Sequence, residues 1–171
     1  MALVVAAAFA APPAGAAPRP GEYEVKAAML LNVAKFVEWP AGARGAPSSE
    51  LRVCALGAPR FAAALATAAT RTGSPVTVWE VRSPSEARGC AIAILGADVS
   101  EGVEELAAGL AAAGVFTVSE GDGLAARGVL LSFVFEGERV RFEINLEAAH
   151  RASFRFSSKL LKLARLVGTS P

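Results

Sequence analysis

Histidine appears once and cysteine twice in the 171 residues, and this scarcity removes several kinds of chemistry at the outset. His150, Cys54 and Cys90 cannot assemble a four-ligand zinc site within one chain. The cysteines form no CxxC pair, so a thioredoxin-like redox motif is absent. No GxSxG nucleophile elbow occurs. His150 stands among Arg and Ala on a short helical stretch, where a solvated face residue accounts for it better than a general base does. Glu136, Glu138 and Glu143 lie close in sequence, but turn exposure and strand alternation explain them without a glycosidase-like carboxylate pair. The stretch "EGDGLAARG" (120–128) fits neither GxGxxG nor GxxxxGK[ST], and a strand pattern follows it instead of a helix. No catalytic, cofactor-binding or metal-binding residue is expected, and no enzyme activity.

Charge of one sign is missing too. Net charge is +1, with no basic cluster, so nucleic acid and anionic membrane surfaces find no electrostatic footprint. Long apolar runs are also lacking. The opening "MALVVAAAFAAPPAGAAPRP" breaks at Pro12-Pro13, short of the roughly 20 apolar residues a spanning helix needs, so direct membrane insertion is not expected.

What is present begins with that opening run. An apolar core followed by Ala14-Gly15-Ala16, a small-x-small site, reads as a secretory signal over residues 1–16. It is atypical, because no Lys or Arg precedes the apolar run. A disordered Ala/Pro leader is the other reading. A flexible leader at 17–21, one domain over 22–168 and a short tail at 169–171 complete the organisation, and that length supports a sizeable core. In an exported chain Cys54 and Cys90 would form one structural disulfide. Two buried thiols in a cytosolic protein are the competing reading, since free cysteine packs as a small hydrophobe.

"KAAMLLNVAKFVEWP" (26–40) carries an unusual pattern. A helix is expected from Glu22 to Trp39, ended by Pro40. At 100° per residue, Tyr23, Ala27, Leu30, Ala34 and Val37 form one apolar stripe. Val25, Met29 and Phe36, with Asn32 among them, form a second stripe beside it, and Val33 lies between. Glu24, Lys35 and Glu38 make a polar wedge, while Glu22 and Lys26 interrupt only the first turn. The apolar arc spans roughly 220°, about twice the width a surface helix uses. Such a helix is either sandwiched within its own domain or half covered by another chain.

Strand and helix patterns then alternate. "LRVCALG" (51–57), "VTVWEV" (76–81), "CAIAIL" (90–95) and "VFTVS" (115–119) read as strands, the first and third placing both cysteines on central neighbours. Residues 60–70 favour a helix closed by Gly73-Ser74-Pro75, and residues 82–89 read as a loop. Asp98 with Glu101 resembles a capping box for a helix running to Ala113 and stopped by Gly114. Residues 129–145 fit a hairpin around Glu136-Gly137, pairing Phe135 with Glu138, Phe133 with Val140 and Leu131 with Phe142. Val140, Phe142 and Ile144 should face inward, and Arg139, Arg141 and Glu143 outward, near a sheet edge. Asn145 should cap a short helix, and a last helix should fill 157–167 behind a Ser cap. Trp79 suits core packing, whereas Trp39, beside a proline, suits a contact surface. The expected fold is a single-domain α/β sandwich: a mixed, mostly parallel sheet with a C-terminal antiparallel hairpin and helices on both faces.

"YEVKAAMLLNVAKFVEWP", "LRVCALG", "CAIAIL", "FTVSE" and "RVRFEINLEAAHRASFRFSSKLLKLARLV" together, in this order, resemble the YfiR-like family of small periplasmic proteins. Phe36-Val37-Glu38-Trp39-Pro40, "RFEIN" (141–145) and "SSKLLKLA" (157–164) carry most of the resemblance. It implies an exported, often dimeric, non-enzymatic α/β domain that represses an inner-membrane diguanylate cyclase by binding its periplasmic sensor domain. Cyclic di-GMP signalling and biofilm growth would then be held down. The alternative is a periplasmic small-ligand-binding accessory protein of a sensor histidine kinase. The resemblance makes Cys54 and Cys90 the family's strand-to-strand disulfide, while a second cysteine pair of some members is absent. Val129, Ser132, Phe154 and Phe156 depart from the family pattern. Read this way, the second helical stripe, with Met29, Asn32, Phe36 and Trp39, is the expected partner or dimer contact.

Overall fold

The computed structural model describes residues 21–43, 50–99 and 101–168. The expected signal segment (1–16), the rest of the leader up to residue 20, most of the 41–50 loop and the 169–171 tail lie outside the described residues.

α1 (Glu22–Val33) opens the domain and tightens into a 3₁₀ turn at Ala34–Phe36. β1 (Val37–Glu38) follows at once, so the helix stops well before Trp39. The reason is tertiary. Val37 and Glu38 leave the helix to pair antiparallel with β8 (Arg155–Phe156), and Ser157 N–H extends that ladder to Phe36 O. Strand pairing overrides the helical pattern here.

The main sheet is built from β2 (Leu51–Leu56), β3 (Val76–Val81), β4 (Ile92–Leu95), β5 (Phe116–Ser119), β6 (Leu131–Glu136), β7 (Arg139–Asn145) and β9 (Arg165–Val167). Its order is β3-β2-β4-β5-β6-β7-β9, parallel throughout except for the β6–β7 hairpin. All four residues of β4 are buried, as a central strand covered on both faces requires. Ile92 and Ile94 face one core with Leu30 of α1 and Phe61 and Leu65 of α2 (Pro59–Thr72). Ala93 and Leu95 face a second core with Val103, Ala107 and Leu110 of α4 (Val103–Ala112) and Ala87 of α3 (Pro84–Ala87). The mixed, mostly parallel sandwich expected from the alternating pattern is thus the fold observed.

Several details differ. Residues 82–89 hold the short α3, where Ser83 Oγ donates to Glu86 and Glu86 accepts from Arg82 N–H. α4 starts at Val103 behind Gly102 in the left-handed region (φ 67°), with no side-chain cap, so Asp98 and Glu101 make no capping box there. The hairpin closes around Gly137-Glu138, with Glu136 opposite Arg139 and Phe133 opposite Phe142. Gly137 at φ 62° takes the first central turn position, where a two-residue turn of the II′ kind needs glycine. Every partner therefore moves by two, which preserves the faces. β7 is not open on its outer side. β9 pairs with it in place of the expected long helix, of which only α6 (Ser158–Leu161) remains, capped by Ser157. Glu143 is consequently buried and ion-paired with Arg165 instead of facing water.

Asn145 caps α5 (Leu146–Arg151) as expected: its Oδ1 accepts from Ala148 N–H at 2.8 Å, and its Nδ2 donates to Ala125 O at 2.7 Å. Both bonds are buried. Asn145→Ala is expected to cost about 1–2 kcal/mol in urea unfolding, because a cap is lost and a carbonyl is orphaned. A variant as stable as wild type would show that the cap is dispensable.

Candidate functional site

The wide apolar arc of α1 divides on folding. Ala27, Leu30, Leu31 and Val33 are buried against the sheet and α2. Val25, Asn32 and Phe36 stay exposed and Met29 half-buried, on the side away from the sheet. Three of the four candidate contact residues come together: Met29, Asn32 and Phe36 line a groove of about 420 Å³ with Val33, Phe142, Lys159, Leu160 and Leu163. Leu163 is 70% exposed, a large apolar side chain left in water. Lys159 is the one charged residue of the lining.

Trp39 goes elsewhere. Its ring packs edge-on against Phe116 and Phe154, each 6.4 Å away between centroids, and its indole N–H donates to Ala91 O at 3.3 Å. Phe156 joins the same cluster through Phe116, so two of the departures from the family pattern fill space beneath Trp39. Trp79, expected in the core, is 58% exposed on edge strand β3. The two tryptophans exchange their expected settings because β3 closes the sheet and Trp39 turns inward with β1.

Elsewhere among the described residues, the side chains considered for chemistry stand apart. His150 is exposed, and so are Glu136 and Glu138, while Glu143 is buried against Arg165, so the hairpin carboxylates do not converge. Among the described residues no cluster of three His, Cys, Asp or Glu side chains could hold a metal, and no helix is long and apolar enough to cross a membrane. In open α/β sheets ligands sit beyond the strand ends where strand order reverses, here between β2 and β4. Backbone fills that place: Gly96 N–H donates to Leu56 O at 2.9 Å, and a Cβ on Gly96 would lie 2.0 Å from Gly57 O.

Cys54 and Cys90 are joined as a disulfide with Cα atoms 5.9 Å apart, which ties β2 to the start of β4. Both are buried in the α4-side core.

One charged cluster is not evident from the sequence. Lys26, which interrupts the apolar arc only in the first turn, is 2% exposed. Its ammonium pairs with Glu22, lies 3.5 Å from Glu120 Oε2 and sits over the rings of Tyr23 and Phe135 at 5.2 and 5.5 Å. Burial pushes the Glu120 carboxyl above its usual range, and the Lys26 charge only partly offsets this. The Tyr23 phenol is raised by burial first and by Glu120 and Glu22 next. Only the Glu22/Lys26 spacing of four signalled the pair, and such spacing is common on exposed helices.

Comparison with curated proteins gives no match. Among solved structures, a conserved domain protein from Vibrio cholerae O1 biovar El Tor str. N16961 superposes with a TM-score of 0.58 at 11% identity, covering 84% of this chain. At that identity the likeness is one of fold, and this chain spans 59% of the length of that one. The YfiR/HmsC-like family model matches residues 23–165, which takes in both faces of the sheet, the disulfide and the α1 groove. The chain therefore belongs to the YfiR/HmsC-like family, whose members are periplasmic, non-catalytic regulators that act on cyclic di-GMP signalling through protein–protein contact.

Proposed function

We propose that this protein is a periplasmic repressor that binds the sensor domain of an inner-membrane diguanylate cyclase and holds the enzyme inactive. The groove between α1 and α6 carries the reading: Met29, Phe36 and Leu163 present apolar area to water around a single cation, Lys159. Burying side chains of this kind contributes about 1.5–3 kcal/mol each when fully covered, and a few such anchors dominate most interfaces. Binding alone does not inhibit. The repressor must prefer the inactive arrangement of the sensor domain, since equal affinity for both states shifts nothing. Cyclic di-GMP stays in the cytoplasm and need never touch the repressor.

The test uses the periplasmic domains of the membrane cyclases of the same genome, each produced singly, with those encoded beside this gene first. One of them is expected to bind, and Phe36→Glu and Leu163→Glu are expected to weaken it by about tenfold or more each, roughly 1.4 kcal/mol apiece. Both positions are exposed, so the variants should keep the wild-type melting temperature. In cells, the same substitutions should raise cyclic di-GMP. Binding unchanged by both substitutions would overturn the groove as the docking site. Failure of every cyclase domain to bind, with saturable thermal stabilisation by a small metabolite instead, would move the assignment to a ligand receptor serving a sensor kinase.

A further inference from the structure

β3 closes one end of the seven-stranded sheet, and among the described residues β2 alone pairs with it, over an unbroken register. Leu51 N–H donates to Pro75 O at 2.8 Å, which fixes the phase of that parallel ladder. Thr77, Trp79 and Val81 turn N–H and C=O toward β2, whereas Val76, Val78 and Glu80 turn theirs to the free side. Both ends of this outer row are closed: Val76 N–H returns to Ser74 O at 2.8 Å, and Arg82 N–H donates to Glu86 Oε2 at 3.2 Å. Between them, Val78 and Glu80 each present a donor and an acceptor outward. The strand has neither proline, lysine nor bulge to guard its edge, and its one charge is Glu80.

Side chains mark the same place. Trp79 stands opposite Cys54 on the α4 face of the sheet and is 58% exposed. Arg52, two residues before Cys54, and Arg88, two residues before Cys90, are exposed and form no ion pair among the described residues. Arg82 is exposed where β3 ends. Of the nearby carboxylates, Glu50 is engaged by the Thr77 hydroxyl, and Glu86 by Ser83 and Arg82 N–H. We propose that β3 is the docking edge for an extended, acidic segment of a partner protein, which joins the sheet as an added strand beside Trp79. Backbone groups of Val78 and Glu80 set the register, the indole supplies apolar area, and the arginines select the charge. A second copy is the wrong occupant. Two-fold pairing of β3 with itself would bring Arg52 and Arg88 of both molecules to one face, like charge toward like. The edge shares no residue with the α1 groove, so the proposal stands independently of the cyclase assignment.

A synthetic peptide of about eight residues, valine alternating with threonine and glutamate, tests the edge by hydrogen exchange read residue by residue. In the free protein the amides of Val78 and Glu80 are expected to exchange much faster than those of Thr77, Trp79 and Val81. Saturating peptide should slow those two amides about tenfold or more and leave the other three unchanged. Lysine in place of the peptide's glutamates, or Arg52→Glu combined with Arg88→Glu in the protein, should each weaken binding about tenfold. Methyl groups on alternate backbone nitrogens of the peptide should abolish binding in one frame and spare it in the other, as a strand bonded along one side requires. Phe36→Glu, which alters the groove, should bind the peptide as wild type does. Absent protection at Val78 and Glu80, or an equal effect of both methylated frames, would overturn strand addition. A lysine peptide that binds as tightly would overturn the acidic partner. Val78 and Glu80 amides already slow in the free protein, and faster on dilution, would put a second copy on the edge and overturn the proposal too.

Discussion

Replacing both cysteines, Cys54→Ala with Cys90→Ala, is expected to cost about 3–4 kcal/mol of folding stability and to lower the melting temperature by roughly 10 °C. The size follows from the loop. The bridge closes a separation of 36 residues, and the chain entropy it removes from the unfolded state grows only logarithmically with that length. The loop contains β2's second half, α2, β3 and α3, so the unfolded chain would otherwise sample widely. A packing contribution adds to this, because both sulfurs sit among Ala93, Leu95 and Leu110 in the α4-side core. Unfolding wild type with a thiol reductant separates the two. It keeps both side chains and removes only the cross-link, so it should account for most of the loss. The urea slope should also rise on reduction, since an uncrosslinked unfolded chain exposes more surface. A double variant within about 1 kcal/mol of wild type would show that the cross-link does little for stability, against the chain-entropy account.

The parts of this fold that could be read from the chain are those governed by local rules. β2 is legible as a short, mostly apolar run ending in Gly57 and β3 as β-branched alternation after Pro75, and Asn145 and Ser157 sit directly before helices that they cap. The hairpin faces followed from period-two patterning, which a two-residue change of partners cannot disturb. What stayed hidden depends on distant neighbours. Nothing near Val37 reveals that Phe156 will pair with it, so the helical pattern runs on past the point where the helix ends. Nothing near Glu143 reveals Arg165 on a new outer strand, so a buried carboxylate looked solvated. Trp39 and Trp79 were indistinguishable by composition; sheet order alone decides which one is sheltered. The same holds for the candidate site. The second stripe on α1 was legible as excess apolar surface, whereas Phe142, Leu160 and Leu163, which complete the groove, come from the far end of the chain.

Lys26 is the position where this dependence on distant neighbours has the largest energetic consequence. Lys26→Met is expected to destabilise the protein by about 3–5 kcal/mol at neutral pH, the usual cost of removing one partner from a buried ion pair. The methionine fills similar space, so the loss comes from Glu22 and Glu120, which are left facing each other with little access to water. The cost should depend on pH, and its sign can be worked out. In the wild type, burial already holds the Glu120 carboxyl above its ordinary range, with Lys26 pulling it partly back. The folded state therefore binds the Glu120 proton more tightly than the unfolded state. That contribution is complete at low pH and disappears as pH rises through the folded pKa. Without Lys26 the folded pKa moves higher still, so the variant loses more stability on the way to neutrality. Urea unfolding of both proteins, at mildly acidic pH and at neutral pH, should show a narrow gap in acid and a wide one at neutrality. Adding Glu120→Gln to Lys26→Met should close most of the neutral gap, because the remaining Glu22 lies in the first turn of α1, where the helix dipole favours a negative charge. A gap of the same width at both pH values would mean that Lys26 contributes packing rather than charge, and the double variant would then recover nothing.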